Sequence, residues 1–130
     1  MPFMTMDHDT DPKKKIRDEL GDISSFKLFN NQVLVAIYVR PARTKSGLYL
    51  PDQTVDEDKY QGKVGLVVAK GPSAFDPAAE GWFKDVEVNL NDWVVFRPSD
   101  GWGVSLNGVS CRVLEDTSIR AGVDRPDRVW

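Results

Sequence analysis

The sequence predicts an all-β fold, a small barrel or sandwich of short strands. Short apolar runs recur along residues 33–114, punctuated by Gly, Pro and Asn, with no helical periodicity between them. The dipeptide Asn107-Gly108 lies between two such runs and is the preferred two-residue type I′ hairpin turn. A length of 130 residues suits one domain around a single core.

The elements follow in order. Residues 1–25 read as an N-terminal extension, 26–124 as the β domain and 125–130 as a tail. Residues 1–10 have no periodicity. Asp11-Pro12 then offers an N-cap followed by a proline in the first turn. The spacing predicts a short helix over 13–20, ended by Gly21. Its apolar stripe is only Ile16 and Leu20, enough to lean on a surface but too thin to build a core. Lys13, Lys14 and Lys15 stand among acidic residues and read as a solvated face.

Residues 33–39 are apolar on both alternating sets, which predicts a strand covered on both faces. Asn30-Asn31 before it is a turn signal. A second run follows at 64–69, where Gly65 marks a bulge or a close backbone approach, and Gly71-Pro72 breaks it. Residues 72–85 are turn-rich yet hold Phe75, Trp82 and Phe83. Residues 86–90 alternate as a strand, Asn91-Asp92 turns the chain, and 93–96 is another buried-type strand. The hairpin arms are 102–106 and 109–114, with Trp102 a core or corner residue, and a last short strand is predicted at 119–123. The tail is polar apart from Val129-Trp130, a frayed end or an assembly contact.

Catalytic chemistry is scarce. Cys111 is the only cysteine and reads as a small buried hydrophobe, and His8 is the only histidine, in an acidic tail. Zinc sites and Cys/His or Ser/His/Asp nucleophile systems are thereby excluded. No phosphate-cradling glycine loop is present, because Gly101-Trp102-Gly103 is too short and too bulky. A formal net charge of -3 gives no basic footprint for nucleic acid. No apolar run approaches the ~20 residues of a membrane span. The first residues lack the basic-then-apolar order of a signal peptide, so a cytoplasmic location is expected.

The segment 39–63 is the most informative. It is polar and turn-forming, yet it contains Leu48-Tyr49-Leu50, preceded by Thr44-Lys45-Ser46-Gly47 and followed by Pro51-Asp52. Loops of this length in small domains are usually functional. Three large side chains in a row on such a loop make sense when a partner buries them.

Taken together, these features resemble the GroES (chaperonin-10) co-chaperonin family over about residues 26–124. Residues 29–35, FNNQVLV, are similar to its first strand, and 44–51, TKSGLYLP, to its mobile loop, in which a glycine precedes a hydrophobic tripeptide. Residues 62–71 resemble the strand leading to the roof of its dome, and 91–96 its Gly-Asp-x-Val-x-Phe turn and strand. Asp100-Gly101-Trp102-Gly103 is similar to its Asp-Gly-Tyr/Ala-Gly corner. The chain departs from the pattern in its extension, in Asn91 where a glycine is usual, and in the acidic Asp52, Asp56, Glu57 and Asp58. Those departures resemble the divergent co-chaperonins of bacteriophages.

The resemblance implies a GroES-like small antiparallel β-barrel with a long mobile loop, a roof segment and a short N-terminal helical extension. It implies a chaperonin-binding loop at Gly47, Leu48, Tyr49, Leu50 and Pro51. Subunits of the family pair edge to edge, which here implies an interface at Lys27, Leu28, Phe29, Ile119, Ala121 and Val123, in a homo-oligomer, most simply a heptameric ring. Phe75, Trp82 and Phe83 fall in the roof. The implied role is a non-enzymatic co-chaperonin that caps a GroEL-type chaperonin, with ATP bound by that partner and no cofactor of its own. A fold does not fix a function. The second reading is a bacteriophage virion protein, a capsid decoration or head-stabilising part contacting a capsid protein.

Overall fold

The computed structural model describes residues 11–39, 62–76 and 87–126. These form a helix α1 (Pro12–Leu20), six strands, and a 3-10 turn at Asp116–Ser118. The strands are β1 (Gln32–Ile37), β2 (Val64–Lys70), β3 (Trp93–Val95), β4 (Trp102–Leu106), β5 (Val109–Glu115) and β6 (Ala121–Val123). They make one small antiparallel barrel-like sheet in the order β4-β5-β1-β2-β3-β6.

The double apolar pattern of β1 is resolved as expected. Leu34, Ala36 and Tyr38 face one buried cluster with Val64, Leu66, Val68, Trp93 and Cys111. Val33, Val35 and Ile37 face the other, with Val67, Val94, Phe96 and Leu114. Gly65 is a close approach: a Cβ there would lie 2.1 Å from Val35 Cγ1 and 2.8 Å from the Ala36 carbonyl oxygen. The bulge itself falls elsewhere. Leu34 pairs with Ala69 and Val35 with Val67, so Val68 is the extra residue of β2. At the hairpin tip Asn107 and Gly108 both have positive φ, 52° and 82°, as a type I′ turn requires.

The helix forms as its caps dictate. Asp11 Oδ1 accepts the Lys13 backbone N–H at 3.1 Å, and the Gly21 N–H donates to the Arg17 carbonyl at 3.0 Å. The thin stripe does more than lean. Leu20 is 1% exposed, and with Ile16 it joins the first core cluster. Ile23, Phe26 and Leu28 pack against the same cluster and widen the contact. Two polar ties hold α1 in place: Arg17 Nε donates to Asn91 Oδ1 at 2.6 Å, and Asn107 Nδ2 donates to the Leu20 carbonyl at 2.6 Å. Arg17 Nη1 also reaches the carbonyl of the bulged Val68, at 3.3 Å.

Two expectations change. Residues 87–90, placed in a strand by their alternation, join no ladder. Their polar groups go to a turn instead: the Asn89 N–H donates to Asp92 Oδ2 at 2.9 Å, and the Asp92 N–H to the Asn89 carbonyl at 3.2 Å. The last strand starts at Ala121 rather than 119, because Asp116–Ser118 winds into a 3-10 turn that the Ile119 N–H closes. Of the two places expected for it, core or corner, Trp102 takes the corner that opens β4, where it is 78% exposed. The inner side of that corner is full: a Cβ on Gly101 would sit 2.5 Å from both Leu114 Cδ2 and the Val113 carbonyl.

Candidate docking loop and assembly edges

The loop motif Gly47, Leu48, Tyr49, Leu50 and Pro51 lies outside the described residues, as do Trp82 and Phe83. The loop's two ends are described, and they are held together. The Tyr38 N–H donates to the Val64 carbonyl at 2.9 Å, one step beyond the β1–β2 ladder. On the next strand the Phe96 N–H donates to the Lys63 carbonyl at 2.9 Å. The Tyr38 ring is buried edge-on against Trp93, with centroids 5.7 Å apart at 75°. Aromatic packing of this kind adds ~0.5–1.5 kcal/mol beyond area burial. The loop therefore leaves and re-enters the barrel at a rigid base.

The predicted interface residues fall on two separate segments. Residues 27–29 join no ladder in this chain. Lys27 is exposed, Leu28 turns inward to the first cluster, and Phe29 is 71% exposed. The other segment leads through Ile119 into β6, which ends the sheet order and has β3 as its one neighbour among the described residues. Here Val123 turns inward to the first cluster and Ile119 to the second, whereas Ala121 is exposed.

A groove of about 600 Å³ runs beside β6. It brings together four of the predicted residues, Phe75, Ile119, Ala121 and Val123. Glu87, Asp92 and Asp124 also line it, with Lys13 and Arg120, so it is apolar with charges of both signs at its walls. Phe75, at the root of the β2–β3 connection, is buried in the second cluster at φ 58°. Left-handed backbone is costly for an aromatic residue and persists only where the surroundings impose it.

What imposes it is a residue that pattern reasoning passed over. Asp116 is 3% exposed, the one buried charged side chain among the described residues. Its Oδ2 accepts the Phe75 N–H at 3.0 Å and its Oδ1 accepts Asn31 Nδ2 at 3.0 Å. Its own backbone N–H donates to the Asn31 carbonyl at 3.1 Å. The only available signal was an Asp just past a strand, which reads equally well as a solvated turn.

Nothing in the described residues suggests bond-making chemistry. Cys111 is buried, and burial pushes its thiol up to about 11 from an ordinary 9.0, so it is a packed, uncharged side chain at neutral pH. No group of three or more His, Cys, Asp or Glu among the described residues could hold a metal ion. No described helix is long and apolar enough to cross a membrane.

Comparison with known proteins agrees with this geometry. A family model described as the chaperonin 10 Kd subunit matches residues 25–123. The co-chaperonin GroES of Halothermothrix orenii is 29% identical over 101 residues, 78% of this chain and 99% of that protein. The co-chaperonin GroES of Neorickettsia sennetsu is 35% identical over 98 residues, covering 73% of this chain and 90% of the relative. That of Syntrophomonas wolfei is 34% identical over 86 residues, 66% of this chain and 83% of the relative. With a pinned loop base, a six-stranded antiparallel barrel and a family match over most of its length, the chain belongs to the chaperonin 10 kDa subunit, or GroES, family.

Proposed function

We propose that this chain is a co-chaperonin that closes the folding chamber of a GroEL-type chaperonin. Leu48, Tyr49 and Leu50 dock into an apolar groove of that partner. ATP is bound and hydrolysed by the partner, and this chain contributes no catalytic step. Gly47 permits the sharp turn into the docked tripeptide, and Pro51 lowers the cost of ordering the loop by restricting its free states. The reading rests on one observation above all: the motif Gly47-Leu48-Tyr49-Leu50-Pro51 occupies the β1–β2 connection of a chain matched to this family over residues 25–123. Affinity capture with purified GroEL-type chaperonin tests it. Capture in the presence of ATP is the expected result. Failure of capture, with co-purification on virion capsids, replaces it with the structural capsid reading.

Ring formation is the second half of the proposal. Residues 27–29 of one subunit add to the free edge of β6 in the next, with Phe29 covered in the groove beside it. Lys27 would meet Glu87, Asp92 and Asp124 there, beside the groove's own Lys13 and Arg120. The pairing is head to tail, a contact that closes into a ring where its rotation permits, and the family resemblance makes that ring most simply one of seven. It also covers edges that would otherwise template aggregation. Phe29→Asp is expected to shift the protein from ring to folded monomer in sedimentation velocity, with an unchanged circular dichroism spectrum. A Phe29→Asp ring as stable as wild type contradicts the pairing.

A further inference from the structure

We propose that Asp116 is a positioning residue for assembly, one buried carboxylate that fixes both pairing segments and the root of the β2–β3 connection in a common frame. This rests on the ring reading above.

Three stretches meet at Asp116, two of them on its carboxylate and the third, its own, through main-chain bonds. The first is the 29–32 turn, through Asn31 Nδ2 and the Asn31 carbonyl. That turn directly follows residues 27–29, and the Gln32 N–H donating to the Phe29 carbonyl at 3.2 Å carries its position to Phe29. The second is the turn after β2. Besides the Phe75 N–H on the carboxylate, the Gly71 N–H donates to the Gln32 carbonyl at 2.7 Å and the Ser73 N–H to the Asn30 carbonyl at 3.1 Å. The third is the approach to β6, since the Ile119 N–H closes on the Asp116 carbonyl at 3.3 Å and the Arg120 N–H then reaches the Val95 carbonyl at 2.9 Å.

A hydroxyl or an apolar side chain at 116 could not do this. The site needs an acceptor for the Phe75 N–H and a second polar atom facing the Asn31 side chain, both on one small planar group. The side chain touches neither of the proposed pairing segments directly. It acts through Asn31 on one and through its own 3-10 turn on the other. Removing it leaves the Phe75 N–H and the Asn31 amide without their acceptor in a buried place, where hydrogen bonds to a charged group are worth roughly tenfold to a hundredfold in an equilibrium.

The test compares Asp116→Ala with Asp116→Asn. An Asn keeps the shape: its oxygen can accept the Phe75 N–H while its amide donates to Asn31, with the side chains of Asn31 and of Gln32, whose Nε2 donates to Asn31 Oδ1 at 3.2 Å, both turned over. The first readout is hydrogen exchange in the monomer, at a concentration below assembly. Asp116→Ala is expected to speed exchange in three peptides at once, around 30–33, 73–76 and 119–122, while the β4–β5 hairpin stays protected. Asp116→Asn is expected to restore protection in all three. The second readout is the midpoint of ring assembly by sedimentation, which Asp116→Ala should raise roughly tenfold or more and Asp116→Asn should return toward wild type. Faster exchange confined to 73–76, or an unchanged assembly midpoint in a folded Asp116→Ala protein, overturns the proposal. Should Asp116→Ala not fold, Asn31→Ala removes one arm alone, and it must raise exchange at both 30–33 and 119–122. A wild-type chain that never assembles defeats the ring reading, whereas the three-peptide pattern in the monomer still decides whether Asp116 sets the frame.

Discussion

Replacing Leu48 and Leu50 together by Ser is expected to abolish chaperonin capture while leaving the ring intact. Burying a leucine is worth ~1.5–3 kcal/mol, so one loop loses ~3–6 kcal/mol. That is ~2–4 decades of affinity per loop. A single loop has little to spare, because ordering it costs ~1–2 kcal/mol per residue. On the proposed ring, binding strength would come instead from several identical loops engaging a ring of sites, where the second and later contacts gain from effective concentration. Weakening every loop at once therefore removes all of the avidity. The measurement is ATP-dependent capture on immobilised chaperonin beside sedimentation of the free variant. Capture and refolding at the wild-type level would show that the tripeptide is not the docking element.

Leu20→Ala is expected to lower the stability of the whole domain by about 2–5 kcal/mol, the range for a leucine truncated in a filled core. Leu20 is 1% exposed in the first cluster, beside the strands that carry the loop base. The effect should appear as one cooperative shift of the urea midpoint with an unchanged slope. A separate early transition for the helix would show that α1 is only lodged on the surface. α1 precedes the region matched by the family model, residues 25–123, yet it ties into the turns at Asn91 and Asn107.

These two variants also separate what the chain discloses in one dimension from what it does not. The hairpin was legible because only a few dipeptides accept two successive positive φ angles, and Asn107-Gly108 is one of them. The strands β1 and β2 were legible because burial on both faces leaves a continuous apolar run. The loop stood out as an apolar tripeptide in polar surroundings. Residues 87–90 misled because alternation reports two faces but not a pairing partner, and here Asn89 and Asp92 take the backbone bonds a neighbour would have made. Trp102 could be placed at core or corner but not at one of them, because a single large side chain after a glycine carries no periodicity to choose. Asp116 was hidden for a different reason. Its burial is created by residues 31 and 75 arriving from elsewhere, and no local pattern around 116 encodes that meeting. The helix was legible in its caps, but its depth was not, since the apolar surface that receives Leu20 is supplied by other strands.

The hydrogen bond between Tyr38 and Val64 has a consequence for how such a protein can change over time. Because the barrel itself clamps the two ends of the intervening segment, the pairing at its base does not depend on how many residues lie between them. Doubling a flexible loop costs only ~0.6 kcal/mol in closure entropy. The acids at 52 and 56–58, or a different tripeptide, can thus be gained or lost without renegotiating the core. Partner choice becomes a cassette that selection can swap on a standing platform, and grafting residues 40–61 onto a relative's barrel is the corresponding laboratory operation.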